Sequence, residues 1–116
     1  MILERDGMCV PHAGSCGGEL VIHHRAGRGM GGSRKANTLA NGLTVCNQWN
    51  VAVESDADAA ERARVNGWKV ARNGRARPED VPVWVPWLST WVLLTLVGDY
   101  LEVPAPTHVQ ESDETA

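Results

Sequence analysis

Phenylalanine is absent from this sequence and tyrosine occurs once, so its aromatic content rests on five tryptophans: Trp49, Trp68, Trp84, Trp87 and Trp91. A positive net charge is missing as well. Eleven Lys and Arg stand against fourteen Asp and Glu, giving a formal charge of −3, which excludes a chain held to nucleic acid by overall polycationic charge. No internal repeat is visible. A length of 116 residues fits one domain with a real core and little spare stability. A fourth cysteine is lacking: Cys9, Cys16 and Cys46 make an odd set. The opening stretch MILERDGMCV has no apolar segment of signal-peptide length. The expectation is therefore a cytoplasmic chain with reduced thiols, in which metal binding is a better reading of the cysteines than a disulfide framework.

A long membrane-spanning run is also lacking. The most apolar uncharged stretch, VPVWVPWLSTWVLLTLV from Val81 to Val97, has 17 residues, the low edge for a span, and Pro82 and Pro86 interrupt its first half. Two buried strands, Val81 to Trp87 and Trp91 to Leu96, fit it better, with Tyr100 to Val103 as a third.

What is present is unevenly distributed. Arg25, Arg28, Arg34 and Lys35 share one stretch without an acid, and Lys69, Arg72, Arg75 and Arg77 share another. Acids gather between Glu54 and Glu61 and from Glu111 to Glu114. Punctuation by glycine, proline and capping residues predicts the organisation. Residues Ile2 to Gly18 read as a loop or hairpin, Glu19 to His24 as a strand, Arg25 to Ala40 as a polar loop and Leu43 to Cys46 as a second strand. Helical sequence begins at Asn47. Asp56 caps a further helix that Asn66-Gly67 ends, and WKVA reads as a brief strand. The acidic tail after Pro104 is expected to be disordered.

The chemistry concentrates in ELVIHHRAGRGMGG, Glu19 to Gly32, where an apolar strand ends on His23 and His24. A neutral imidazole can ligate a divalent metal or accept a proton from water. Adjacent strand residues point to opposite faces, so the two histidines share a site only if the strand breaks after them. Otherwise one is a core histidine and the other a surface one. Downstream come Asn41, in ANGLTVC, and Asn50, in CNQWN.

This order, His-His, loop, Asn, strand, Cys, Asn on a helix start, resembles the HNH endonuclease family in an HNN variant. It is similar in spacing to the HNH domain of CRISPR effector nucleases. The HHRAGRGMGGS loop with the later GWKV and WVLL…GDY looks like HNH proteins of actinobacterial phages. The resemblance implies an α+β fold: a ββα-metal (His-Me finger) core over about residues 5–54, then a helix and a small antiparallel β extension to 103, with 104–116 as the tail. It implies a metal-dependent DNA endonuclease in the host cytoplasm. Double-stranded DNA is the expected partner, and the packaging machinery is one that some phage relatives use. His24 would be the general base, His23 and Asn50 ligands of one Mg²⁺ or Mn²⁺, and Asn41 the residue holding His24 in register. Glu54, one turn beyond Asn50, is either a further ligand or a solvated glutamate. Arg25, Arg28, Arg34 and Lys35 are candidates for contact with the DNA backbone, with little base preference.

The family often carries a structural zinc on two cysteine pairs. Here Cys9 and Cys16 form one, but Trp49 stands where the partner of Cys46 belongs. Either zinc is kept by Cys9, His12, Cys16 and Cys46, or the site is lost and Trp49 fills it against Met8, Val10 and Val45. The pattern tips toward the packed, zinc-free arrangement. The rival to the nuclease reading is a catalytically inactive nucleic-acid-binding or zinc-ribbon-like module.

Overall fold

A computed structural model describes residues 2–14, 16, 18–26, 38–70 and 77–106. It is an α+β fold of two small antiparallel sheets and short helices. The apolar run of the opening segment forms β1, Leu20–His24. β1 pairs antiparallel with β2, Gly42–Cys46, in a register that sets His24 opposite Gly42 and His23 opposite Leu43. All five residues of β2 are buried, so it is the central strand of the molecule. Helix α2, Asn47–Ser55, follows without a linker. Its cap is a cysteine: the Cys46 sulfur accepts from the Trp49 N–H at 3.4 Å.

Helix α3, Ala57–Val65, starts where a short acceptor side chain is available. Asp56 Oδ1 accepts from the Asp58 N–H at 2.9 Å. The helix ends at Asn66, and Gly67 follows at φ +77°, where a Cβ would also collide with the Pro82 carbonyl. The second sheet has the order β3-β4-β5, from Val83–Val85, Thr90–Leu94 and Tyr100–Val103. Val83, Val85, Val92 and Leu94 face the core, which they share with Leu43, Val45, Trp49 and Val53.

Three expectations are corrected. Residues 2–6 are not loop but one helical turn, α1, Ile2–Asp6. That turn is anchored by Asp6, whose carboxylate accepts from the Thr44 N–H and from the Tyr100 hydroxyl, both at 2.8 Å. Arg5 reinforces it through the carbonyls of Leu39 and Gly42. Residues 68–70 are not a strand. The N–H groups of Trp68 and Lys69 both go to the Ala63 carbonyl, and that of Val70 goes to Arg25, so none is left for a ladder. The first Trp-rich strand is only three residues long, because the prolines confine it. Among the described residues no helix is long and apolar enough to cross a membrane. Most of the predicted tail, residues 107–116, lies outside the described residues.

Candidate functional site

β1 ends at a bend, and Asn41 makes it. After His24 the Arg25 N–H donates to the Asn41 carbonyl at 2.8 Å. The Asn41 side chain then clasps the next residue from both sides. Its Oδ1 accepts from the Ala26 N–H at 2.8 Å, and its Nδ2 donates to the Ala26 carbonyl at 3.1 Å. Asn41 itself is fully buried. A primary amide can do this because it carries a donor and an acceptor side by side. The chain immediately after His24 is therefore fixed at two consecutive residues. At the end of β1, directly before this bend, His23 is buried and His24 half-buried.

His23 sits in an aromatic and polar corner. Its ring meets Trp49 edge to face at 5.1 Å, and Trp49 meets Trp68 in the same way at 6.2 Å. Its Nε2 lies 3.1 Å from the Trp68 carbonyl. A carbonyl cannot donate, so the proton is on Nε2 and Nδ1 carries the ring's lone pair. Burial first, and the Lys69 charge second, pull the His23 pKa down to about 4, against the opposing effects of the Trp68 carbonyl, Glu54 and the Asn50 side chain. The ring is neutral at pH 7. One ring nitrogen held by a backbone carbonyl and the other left with a lone pair is the arrangement of an oriented metal-ligating histidine. Asn50 and the Glu54 carboxylate, one α2 turn apart, add oxygen donors on the same side. That donor set suits a divalent cation of the oxygen- and nitrogen-seeking kind. Glu54 is exposed, and the Lys69 ammonium lies 4.0 Å from it.

A second cluster forms at the junction of β2 and α2. The ligand atoms of Cys9, His12, Cys16 and Cys46 all lie within 4.8 Å of one another. This is a Cys₃His set that could hold a metal ion. A tetrahedral zinc with Zn–S of about 2.3 Å separates its sulfurs by about 3.8 Å, so little contraction is needed. His12 Nδ1 is 3.5 Å from the Cys46 sulfur, and the Cys9 sulfur accepts from the Cys46 N–H at 3.2 Å. Burial pushes the Cys9 thiol up, while hydrogen bonds from His12 and Cys46 bring Cys16 down to about 7. One of the three sulfurs is thus readily a thiolate, the form a metal binds. The sequence pattern had tipped toward apolar packing in this space. Trp49 does lie in the buried cluster with Val10 and Val45, and the ligand atoms of the Cys₃His set converge beside it.

No family model, no curated protein and no solved structure matches the chain.

Arg25 requires a correction. Read as a candidate for DNA contact, it is wholly buried. Its guanidinium donates to the carbonyls of Gly67, Ala40, Pro78 and Val81 at 2.7–2.9 Å. Burial lowers its pKa to about 9, which leaves it cationic at neutral pH. The physical reason is local. The carbonyls of Ala40, Gly67, Pro78 and Val81 converge beside the bend at Ala26, and a planar five-donor fork answers all four. Arg28, Arg34 and Lys35 lie outside the described residues.

Two contributors were not legible beforehand. Trp68 acts through its carbonyl, which any residue would supply. Lys69 had been grouped with a basic stretch, whereas here it stands beside Glu54.

Proposed function

We propose that this chain is a metal-dependent DNA endonuclease of the HNH type, in its His-Asn-Asn variant, with β1, β2 and α2 as a ββα-metal core. The observation that carries the reading is the pair of Asn contacts around β1. Asn41 clasps Ala26 just beyond His24, and the Asn50 side chain stands near the His23 ring from the helix. In sequence these residues are far apart, and in this reading each has its own task.

The cation held by His23, Asn50 and Glu54 would neutralise charge developing on the scissile phosphate and its leaving oxygen. His24 accepts the proton of the attacking water. Asn41 fixes the backbone after His24, so the imidazole is aimed before substrate arrives. Neutral His23 keeps a lone pair for ligation across the working pH range. Zinc on Cys9, His12, Cys16 and Cys46 would fix the start of α2, one turn ahead of Asn50. Arg28, Arg34 and Lys35 supply the phosphate contacts.

One observation favours a second reading, the inactive module. His23 is buried with its N–H on a backbone carbonyl, as a purely structural histidine would be. Plasmid nicking by the wild type separates the two, and the His24→Ala variant tests the base. On the nuclease reading it loses at least ~10²-fold in plasmid nicking, the share of a general base, and retains DNA and Mn²⁺ binding. Undiminished cleavage by the purified Ala variant would remove His24 from the mechanism.

A further inference from the structure

Lys69 occupies an unexpected place. Its backbone is pinned on both sides, since its own N–H and that of Trp68 go to Ala63, and the next N–H, of Val70, goes to the Arg25 carbonyl. Only the flexible four-carbon stem can move. The ammonium at its tip lies 4.0 Å from Glu54 Oε2, with the Lys69 side chain about three-quarters covered. It is close enough to His23 to oppose that ring's protonation. Glu54 and the neutral His23, which it neighbours, are two of the three residues that would hold the divalent cation.

We propose that the Lys69 ammonium stands in for the divalent cation at the corner of His23, Asn50 and Glu54, and must swing away, toward a substrate phosphate, for a cation to load. This rests on the nuclease reading. A carboxylate oxygen binds a divalent ion at about 2.0–2.6 Å. An ammonium 4 Å from the same oxygen would then face a dication across only a few ångströms. The two cannot be held comfortably together. A phosphate entering beside the site offers Lys69 an alternative partner, and its own oxygens complete the cation's shell. Cation affinity and DNA affinity are thereby coupled, and the coupling is reciprocal. The stem length of lysine and its compact point charge suit such a movable counter-ion.

The test is Mn²⁺ binding, read by the loss of free-ion electron paramagnetic resonance signal, on zinc-replete full-length protein without DNA. Lys69→Met is expected to bind Mn²⁺ about ten-fold more tightly than wild type, and Lys69→Arg to stay close to wild type. A duplex with phosphorothioate linkages should tighten Mn²⁺ binding in wild type more than in Lys69→Met. Thermal melting checks that the variants fold, and Lys69→Gln serves if Lys69→Met does not. The inference is overturned if removal of the charge leaves Mn²⁺ binding unchanged or weaker, or if the duplex helps both proteins equally. A wild type that binds Mn²⁺ no better than His23→Ala overturns the nuclease reading as well, so the two failures are distinguishable.

Discussion

Four carbonyl oxygens from three segments of the chain meet one guanidinium at Arg25. Removing the fork would leave buried acceptors without donors, each at a cost of about 1–3 kcal/mol, with some relief from water. Arg25→Met should therefore cost on the order of 4 kcal/mol in urea unfolding. A variant that keeps its stability but shows a shallower salt dependence of DNA binding would instead restore Arg25 to the DNA surface. His23 makes a prediction about pH. Its pKa is about 6.5 in an unfolded chain and about 4 when folded. The unfolded state binds the extra proton between these values, so the contribution is complete above pH 6.5 and lost as pH falls toward 4. In cation-free buffer, wild type should lose stability across that window more steeply than His23→Asn. Equal slopes would contradict the buried, neutral ring. Residues of this kind divide by what sequence can carry. His23, Asn41 and Asn50 could be singled out because their side chains are chemically distinctive and stand near the ends of strands and helices. Arg25 was misread because a burial site built from other segments' carbonyls leaves no trace in its own neighbourhood.

At the scale of elements, Cys46 is the pivot. It ends β2, caps α2 through its sulfur and belongs to the Cys₃His cluster. A metal there would join the N-terminal loop to the helix carrying Asn50 and Glu54. The purified protein is expected to contain about one zinc per chain, and Cys16→Ser to lose it and melt at lower temperature, since structural zinc contributes directly to folding. Zinc-free wild type with the same melting temperature as Cys16→Ser would exclude that role. Elements with local signals were legible. The apolar run before His23 makes β1, Asp56 makes the α3 cap, and Gly67 ends that helix where no side chain fits. The failures have a common cause. Residues 2–6 and 68–70 are decided by distant partners: Asp6 by Thr44 and Tyr100, and Val70 by Arg25.

At the scale of the molecule, Asp6 joins the two sheets, taking a hydrogen bond from β2 at Thr44 and one from β5 at Tyr100. The Asp6 charge and burial hold the Tyr100 phenol well above its usual pKa, so this link is a neutral hydroxyl donating to a carboxylate. The C-terminal sheet thereby backs the strand pair that carries His23 and His24, leaving the polar corner of His23, Asn50, Glu54 and Lys69 as the face proposed for the chemistry. The central claim is that this face hydrolyses phosphodiesters with a bound divalent cation. It is tested most directly by titrating Mg²⁺ and Mn²⁺ into the purified protein with supercoiled plasmid and following the open-circular form. The account predicts nicking that rises with cation concentration, stops with EDTA and returns when Mg²⁺ or Mn²⁺ is restored in excess. Plasmid that stays supercoiled at every cation concentration, or nicking indifferent to EDTA, would contradict it.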